Sequence, residues 1–158
     1  MAKQLVSPAQ KLLIEKLGVM HEQAGLQPAA ARVLSLLIVS NNPELTFEEI
    51  IEALQISKSA ASNAINLLLK MNRIEYITKP GDRKRYFRAE IYQWRESSKN
   101  HFDGMIRFSE ILKQVLEQRP GSTVEFNNSL HELISFLEFL HEKLPLLYAE
   151  WERKRKVA

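Results

Sequence analysis

The sequence predicts a mainly α-helical protein in which two short helices and a two-stranded β-hairpin are flanked by longer helices. Apolar residues recur at helical spacing through most of the 158 residues. Between Ile74 and Arg88 this spacing gives way to the alternation typical of strands, and Pro80-Gly81-Asp82 in the middle is a strong turn signal. The pattern therefore predicts a helical fold that contains one hairpin.

The segment from Ser57 to Met71 is predicted to be the central helix. Ser57 is a suitable N-cap because its hydroxyl can accept a hydrogen bond from a backbone N–H of the first turn. One face of this helix is apolar and contains Ala61, Ala64, Ile65, Leu68 and Met71. The opposite face carries short polar side chains and one cation, namely Lys58, Ser59, Ser62, Asn63 and Asn66. Such a face suits the reading of base edges in a DNA major groove.

A shorter helix is predicted immediately before the central one. Thr46 and Glu49 can form a capping box at its start. Only Gln55-Ile56-Ser57 separates the two helices, and so short a link forces a sharp crossing, as in a helix-turn-helix. The hairpin that follows then corresponds to a wing. Its predicted contacts with the DNA backbone or minor groove are Lys79, Arg83, Lys84 and Arg85.

These features resemble a known family. The helix PAAARVLSLLIVS, the core LTFEEIIEALQISKSAASNAINLL and the wing PGDRKRYFR are similar to the winged helix-turn-helix of MarR-type bacterial transcription regulators. Within that family they look most like the glycine-betaine-responsive (GbsR-like) branch. The resemblance implies that the central helix enters the major groove. It also implies that Asp82 is a positioning carboxylate in the wing and that Arg83 is the cation directed toward the minor groove.

The flanking segments are predicted to be helical and to form a dimerisation region. The winged helix-turn-helix domain is predicted to span residues 27–89, with residues 7–25 and 90–155 forming helices packed on it. These helices carry more apolar surface than a small winged domain can cover, which predicts a homodimer. The residues assigned to this surplus are Leu12, Leu13, Leu17, Leu112, Leu116, Leu133, Leu137, Leu140 and Leu144.

Composition narrows the possible functions. The net charge of +3 is modest, but the wing and the tail Arg153-Lys154-Arg155-Lys156 concentrate the cations. The chain has no cysteine, no histidine spacing typical of a metal site, no apolar run long enough for a membrane span and no motif of a catalytic site. We therefore expect a cytoplasmic protein that is not an enzyme, has no metal or cofactor and does not insert into a membrane. The aromatic residues Trp94, Phe102 and Phe136 are candidates for the lining of an effector pocket.

The sequence thus predicts a regulator of transcription that binds double-stranded DNA in a sequence-specific manner. We expect it to act as a homodimeric repressor that a small-molecule effector releases from its operator. The alternative is a winged helix that serves as a protein–protein interaction module and does not bind DNA, in which case the basic wing would contact an acidic partner.

Overall fold

The computed structural model describes residues 5–157, and within them nine helices and strands follow one another. In chain order they are α1 (Pro8–Gln23), α2 (Pro28–Val39), β1 (Leu45–Thr46), α3 (Phe47–Leu54), α4 (Lys58–Lys70), β2 (Ile74–Thr78), β3 (Arg85–Ala89), α5 (Trp94–Gln118) and α6 (Val124–Val157). The prediction of a mainly α-helical protein with a winged helix-turn-helix is confirmed. The chain divides into two compact units, residues 1–91 and residues 92–158.

Helix α2 is the buried centre of the first unit. It begins at Pro28, a residue that suits the first helical position because the N–H it lacks would have no intrahelical partner there. Seven of its twelve residues are buried: Ala30, Ala31, Val33, Leu34, Ser35, Leu36 and Leu37. Helix α1, helix α4 and strand β3 all pack against it. Helix α2 is thus the element on which the rest of this unit packs, although Ile38 near its end is 40% exposed.

Helix α1 belongs to the same compact unit as α2. Ser7 caps α1 through a capping box with Gln10, and the Gln10 side chain also donates to the backbone oxygen of Val39 at 3.2 Å. Ile14 and Gly18 are the buried residues of α1. Leu12 and Leu13, which the sequence assigned to the apolar surplus, are 65% and 49% exposed. Whether they contribute to a dimer, and where the functional domains begin and end, stay predictions.

The sheet of the first unit has three strands in the order β1-β3-β2, one more than the hairpin alone. The two-residue strand β1 pairs with β3, with Leu45 opposite Phe87. Strand β3 begins at Arg85, although the sequence predicted a return strand from Arg83. The reason is that the turn is longer than expected, so that Arg83 and Lys84 belong to the loop and not to the ladder.

The second unit is a helical hairpin of α5 and α6. The segment Arg119-Pro120-Gly121 lies between the two helices, where the Arg119 side chain donates to Asn127 and Thr123. Ile134 and Leu137 are only 5% and 8% exposed, so they belong to the interior of the hairpin. Many other apolar residues of this unit are exposed. Along residues 5–157, no helix is both long and apolar enough to cross a membrane.

Candidate nucleic-acid interface

Helix α4 has one buried and one open face, as the sequence predicted. The Ser57 hydroxyl accepts a hydrogen bond from the backbone N–H of Ala60 at 3.1 Å, which caps the helix. The buried face consists of Ala61, Ala64, Ile65 and Leu68. Met71 was also predicted to lie on this face, but that prediction is wrong. Met71 is the C-cap residue and is 47% exposed, because the chain leaves the helix there and turns toward β2.

Burial of that face directs the polar side chains of α4 outward. Lys58, Ser59, Ser62, Asn63 and Asn66 are all exposed. The link to α3 is made possible by Gln55, which caps α3 in the left-handed conformation with a φ of 52°. The predicted capping box at the start of α3 is present, with the Thr46 N–H donating to a Glu49 carboxylate oxygen at 2.7 Å. Each of the two helices is therefore capped at its N-terminus by local hydrogen bonds.

A groove of about 440 Å³ runs between α4 and the wing, and we call it the wing groove. Its lining residues are Phe47, Glu48, Ser62, Ile65, Asn66, Leu69, Arg83, Lys84, Arg85 and Phe87. The fold thus brings Ser62 and Asn66 of the helix together with the three consecutive cations of the wing. Lys58, Ser59, Asn63 and Lys79 do not line this groove. A surface with hydrogen-bonding side chains on one wall and cations on the other can contact both base edges and phosphates.

The turn of the wing is organised by Asp82. One carboxylate oxygen accepts the backbone N–H of Lys84 at 2.9 Å, and the other accepts the hydroxyl of Tyr86 at 2.6 Å. The hydrogen bond from Tyr86, with a further one from the Lys84 amide, lowers the pKa of the Asp82 carboxyl. The same bond raises the pKa of the Tyr86 hydroxyl. Asp82 is therefore held as a carboxylate at the centre of the turn that carries Arg83.

Lys79 has protein partners in the wing. Its ammonium group lies 2.9 Å from a carboxylate oxygen of Glu44 and 4.0 Å from the ring centre of Tyr86. The guanidinium of Arg85 lies over the ring of Tyr76 at 5.1 Å. By contrast, the side chains of Lys58 and Arg83 form no hydrogen bond or ion pair within residues 5–157. Among the predicted contacts, Lys79 is the cation that forms an ion pair with a carboxylate within residues 5–157, so the other cations can meet an incoming phosphate without first leaving such a partner.

Sequence reasoning missed three residues of this region: Glu44, Glu48 and Tyr86. Glu48 lines the wing groove, whereas its neighbour Glu49 is engaged in the capping box. By its residue type alone, Tyr86 indicates only a strand. The local sequence gives no signal for the partnership of Glu44 and Lys79, since 35 positions separate them and they meet only because β3 pairs with β1 on one side and with β2 on the other. For Tyr86, its spacing of four residues from Asp82 was a usable signal.

The three aromatic residues proposed for an effector pocket do not share one cavity. A depression of about 420 Å³ in the second unit is lined by Phe102 together with Arg95, Glu96, Ser98, Lys99, Asp103, His141, Pro145 and Tyr148. Trp94 instead packs edge to face on Trp151, with ring centres 5.5 Å apart. Phe136 lies with Phe139 at a more open depression. Phe102 and Phe136 therefore line two different depressions.

Within residues 5–157 no group of three or more histidine or acidic side chains is arranged to hold a metal ion. His21 on α1 is a histidine whose environment changes its acidity. Burial of the imidazole, reinforced by the positive charge of Arg73, lowers the pKa of His21. Its Nε2 atom is buried and has no hydrogen-bond partner in the described part of the chain. His21 is therefore a partly buried, neutral histidine of the α1 packing surface.

Comparisons with known proteins agree with this geometry. The MarR family model matches residues 24–85. The HTH-type transcriptional repressor OpcR of Bacillus subtilis (strain 168) is 26% identical over 165 residues, which cover 95% of this chain and 83% of that protein. The HTH-type transcriptional regulator MmpR5 of Mycobacterium tuberculosis (strain ATCC 25618 / H37Rv) is 23% identical over 127 residues, or 80% of this chain and 77% of that protein. A crystal structure of a transcriptional regulator shares the fold, with a TM-score of 0.70 and 21% identity over 92% of this chain and 99% of that one.

Proposed function

We propose that this chain belongs to the MarR family of winged-helix regulators, that it binds double-stranded DNA in a sequence-specific manner and that it represses transcription as a homodimer in the cytoplasm. Helix α4 would enter the major groove with its exposed polar face. The wing would follow the adjacent backbone and place Arg83 at the minor groove. A dimer seated on a promoter would exclude the polymerase by occupying its site.

The wing groove is the observation that carries this proposal. It combines the amide of Asn66 and the hydroxyl of Ser62 with the cations Arg83, Lys84 and Arg85 in one space of about 440 Å³. Asparagine can pair bidentately with adenine, and hydroxyl groups accept or donate at several base edges. Arginine and lysine supply the sequence-independent attraction to phosphates. A module that only docks an acidic protein would need the cations but not a neighbouring row of amides and hydroxyls.

Dimerisation supplies the second half of the mechanism. Exposed apolar residues are numerous on α1, α5 and α6, and a second copy of the chain would cover them. Two copies of α4 would then meet half-sites about 34 Å apart, one helical turn of DNA. A small molecule bound beside Phe102 would release the operator if it changed that spacing. We also propose that the chain belongs to the glycine-betaine-responsive branch of the family, on the likeness of its wing PGDRKRYFR.

The decisive experiment measures DNA binding against salt concentration for the parent, for Arg83→Ala and for Lys16→Ala. The control variant removes one exposed cation from α1, outside the wing groove. Arg83→Ala should weaken binding to all duplexes and reduce the slope of log affinity against log salt by about one unit. Lys16→Ala should behave as the parent does. If the parent binds neither random duplexes nor duplexes selected from a random pool, the chain is not a DNA-binding regulator and the interaction-module alternative replaces it.

A further inference from the structure

We infer that Tyr86 is a positioning residue of the wing, which holds the loop carrying Arg83 and Lys84 through contacts with Asp82 and with the Lys79–Glu44 ion pair. This inference rests on the proposed function for its effect on DNA, but its structural part can be tested without DNA. Tyr86 and Glu44 thereby position the wing loop. Lys79 stabilises the same network inside the wing and does not contact a phosphate directly.

The position of the Tyr86 ring is fixed by strand pairing on both sides. Strand β3 is the central strand of the sheet, and Tyr86 lies opposite Thr46 of β1 and opposite Ile77 of β2. The backbone at Tyr86 therefore has neighbours in the ladder on each side, whereas the residues of the loop have none. A hydrogen bond from this ring to the loop transmits the rigidity of the sheet to the loop.

Two hydrogen bonds in series connect the Tyr86 ring to the backbone of the loop, and both are accepted by the Asp82 carboxylate. The Tyr86 hydroxyl donates to one oxygen of Asp82 at 2.6 Å, and the other oxygen of Asp82 accepts the Lys84 amide at 2.9 Å. The second contact closes a short turn over Arg83, because it joins the residues on either side of it. The Asp82 amide also donates to the backbone oxygen of Lys79 at 3.0 Å. The conformation of the loop at Arg83 is thus set by bonds at Asp82, and Tyr86 fixes the orientation of the Asp82 carboxylate.

A third contact fixes the ring from its face. The ammonium group of Lys79 lies 4.0 Å from the centre of the Tyr86 ring, within the range of a cation–π interaction. The same group is 2.9 Å from Glu44, whose side chain is 24% exposed. Glu44 directly precedes β1, so that the network connects residues next to or within all three strands. Lys79 is oriented by this network toward the sheet and away from the wing groove.

The first test measures hydrogen exchange at the Lys84 amide in the protein without DNA. Tyr86→Phe keeps the ring and removes the hydroxyl, so Asp82 loses its fixed orientation. We expect the Lys84 amide to exchange about three to ten times faster, the factor that corresponds to the net contribution of one hydrogen bond. Tyr76→Phe is the matched control, since the Tyr76 hydroxyl forms no hydrogen bond within residues 5–157. Equal exchange at Lys84 in the parent and in Tyr86→Phe would overturn the inference.

The second test asks whether Tyr86 acts on DNA through Arg83. In the parent, Tyr86→Phe should lower the affinity for duplex DNA about threefold to tenfold. In the Arg83→Ala background the same change should have almost no further effect, because the side chain that the loop presents is already absent. Additive losses in the double variant would show that Tyr86 does not act through Arg83. If the parent itself fails to bind any duplex, the proposed function fails, while the exchange result still decides the structural part.

A charge reversal tests the assignment of Lys79. Lys79→Glu alone should lower DNA affinity, because it removes a cation and disrupts the ion pair with Glu44. The double variant Glu44→Lys with Lys79→Glu restores the ion pair with the two charges exchanged. We expect it to recover most of the affinity that Lys79→Glu loses. A double variant that binds no better than Lys79→Glu would mean that Lys79 contacts phosphate directly, and would overturn the internal role.

Discussion

The substitution Phe136→Glu should separate the two copies of the protein and thereby abolish operator binding. Phe136 lies on α6 and is 57% exposed, although a phenylalanine side chain is strongly apolar. A phenylalanine buries on the order of 200 Å² when fully covered, so roughly 110 Å² remains open here. At about 25 cal/mol per Å², covering that area in a dimer contributes about 3 kcal/mol per copy, or about 6 kcal/mol for a symmetric pair.

The loss of rotational and translational freedom on association is the same for the parent and the variant, so it does not reduce this difference. We therefore expect the dissociation constant of the dimer to rise at least a hundredfold, and further where the new carboxylate would be buried. Asn128→Glu is the matched control, since it adds the same charge at an exposed position of the same helix, outside the depression that Phe136 lines. Sedimentation measures the assembly, and an operator shift assay on the same samples measures binding.

Leu137→Glu should give a different result, although the sequence alone placed Leu137 in the dimer surface. Leu137 is 8% exposed and lies in the interior of the α5–α6 hairpin, so a carboxylate there should unfold the hairpin. Circular dichroism distinguishes the two variants, because Phe136→Glu should keep its helix content. The reasoning is refuted if the parent sediments as a monomer at micromolar concentration, or if monomeric Phe136→Glu retains its affinity for the operator.

Three further predictions concern the winged unit. Alanine at Asn63 or Asn66 should reduce discrimination at one base position by about 1–3 kcal/mol and leave binding to random duplexes unchanged, as measured by competition with single-base variants of the operator. Glu48→Gln should raise the affinity for random duplexes about fivefold because a negative charge leaves the wing groove, whereas Glu52→Gln on the same helix should have no such effect. Because the pKa of His21 is lowered in the fold, the unfolded chain takes up the proton first as the pH falls below about 6.5. The free energy of unfolding should therefore decrease from pH 7.5 to pH 5.5 in urea titrations, and less so in His21→Leu.

The features that the sequence predicted are those set by neighbouring residues. The capping box of Thr46, the N-cap at Ser57 and the turn at Pro80-Gly81-Asp82 each depend on contacts within four positions of the chain. The buried face of α4 follows from helical periodicity. In each case the side chains that determine the structure are also the ones visible in a short window of sequence.

The features that sequence reasoning missed depend on distant residues. Strand β1 has only two residues, too few for any periodicity, and exists because β3 offers it a free edge. Lys79 was assigned to DNA on its charge, but the same pairing brings Glu44 within 2.9 Å of it. Leu137 and Phe136 are both apolar and adjacent, so composition cannot tell which one faces the hairpin interior. The geometry of the wing groove likewise required the fold.

Strand β3 connects the wing to the hydrophobic core. Successive side chains of a strand point to opposite faces, so Phe87 enters the core while Tyr86 turns toward Asp82 in the loop. The same core buries Ile65 and Leu68 of helix α4. The wing and α4 are thus anchored to one packed interior, and a shift of one relative to the other would disrupt it. An effector would therefore regulate DNA binding more readily by changing the distance between two winged units than by changing the shape of either.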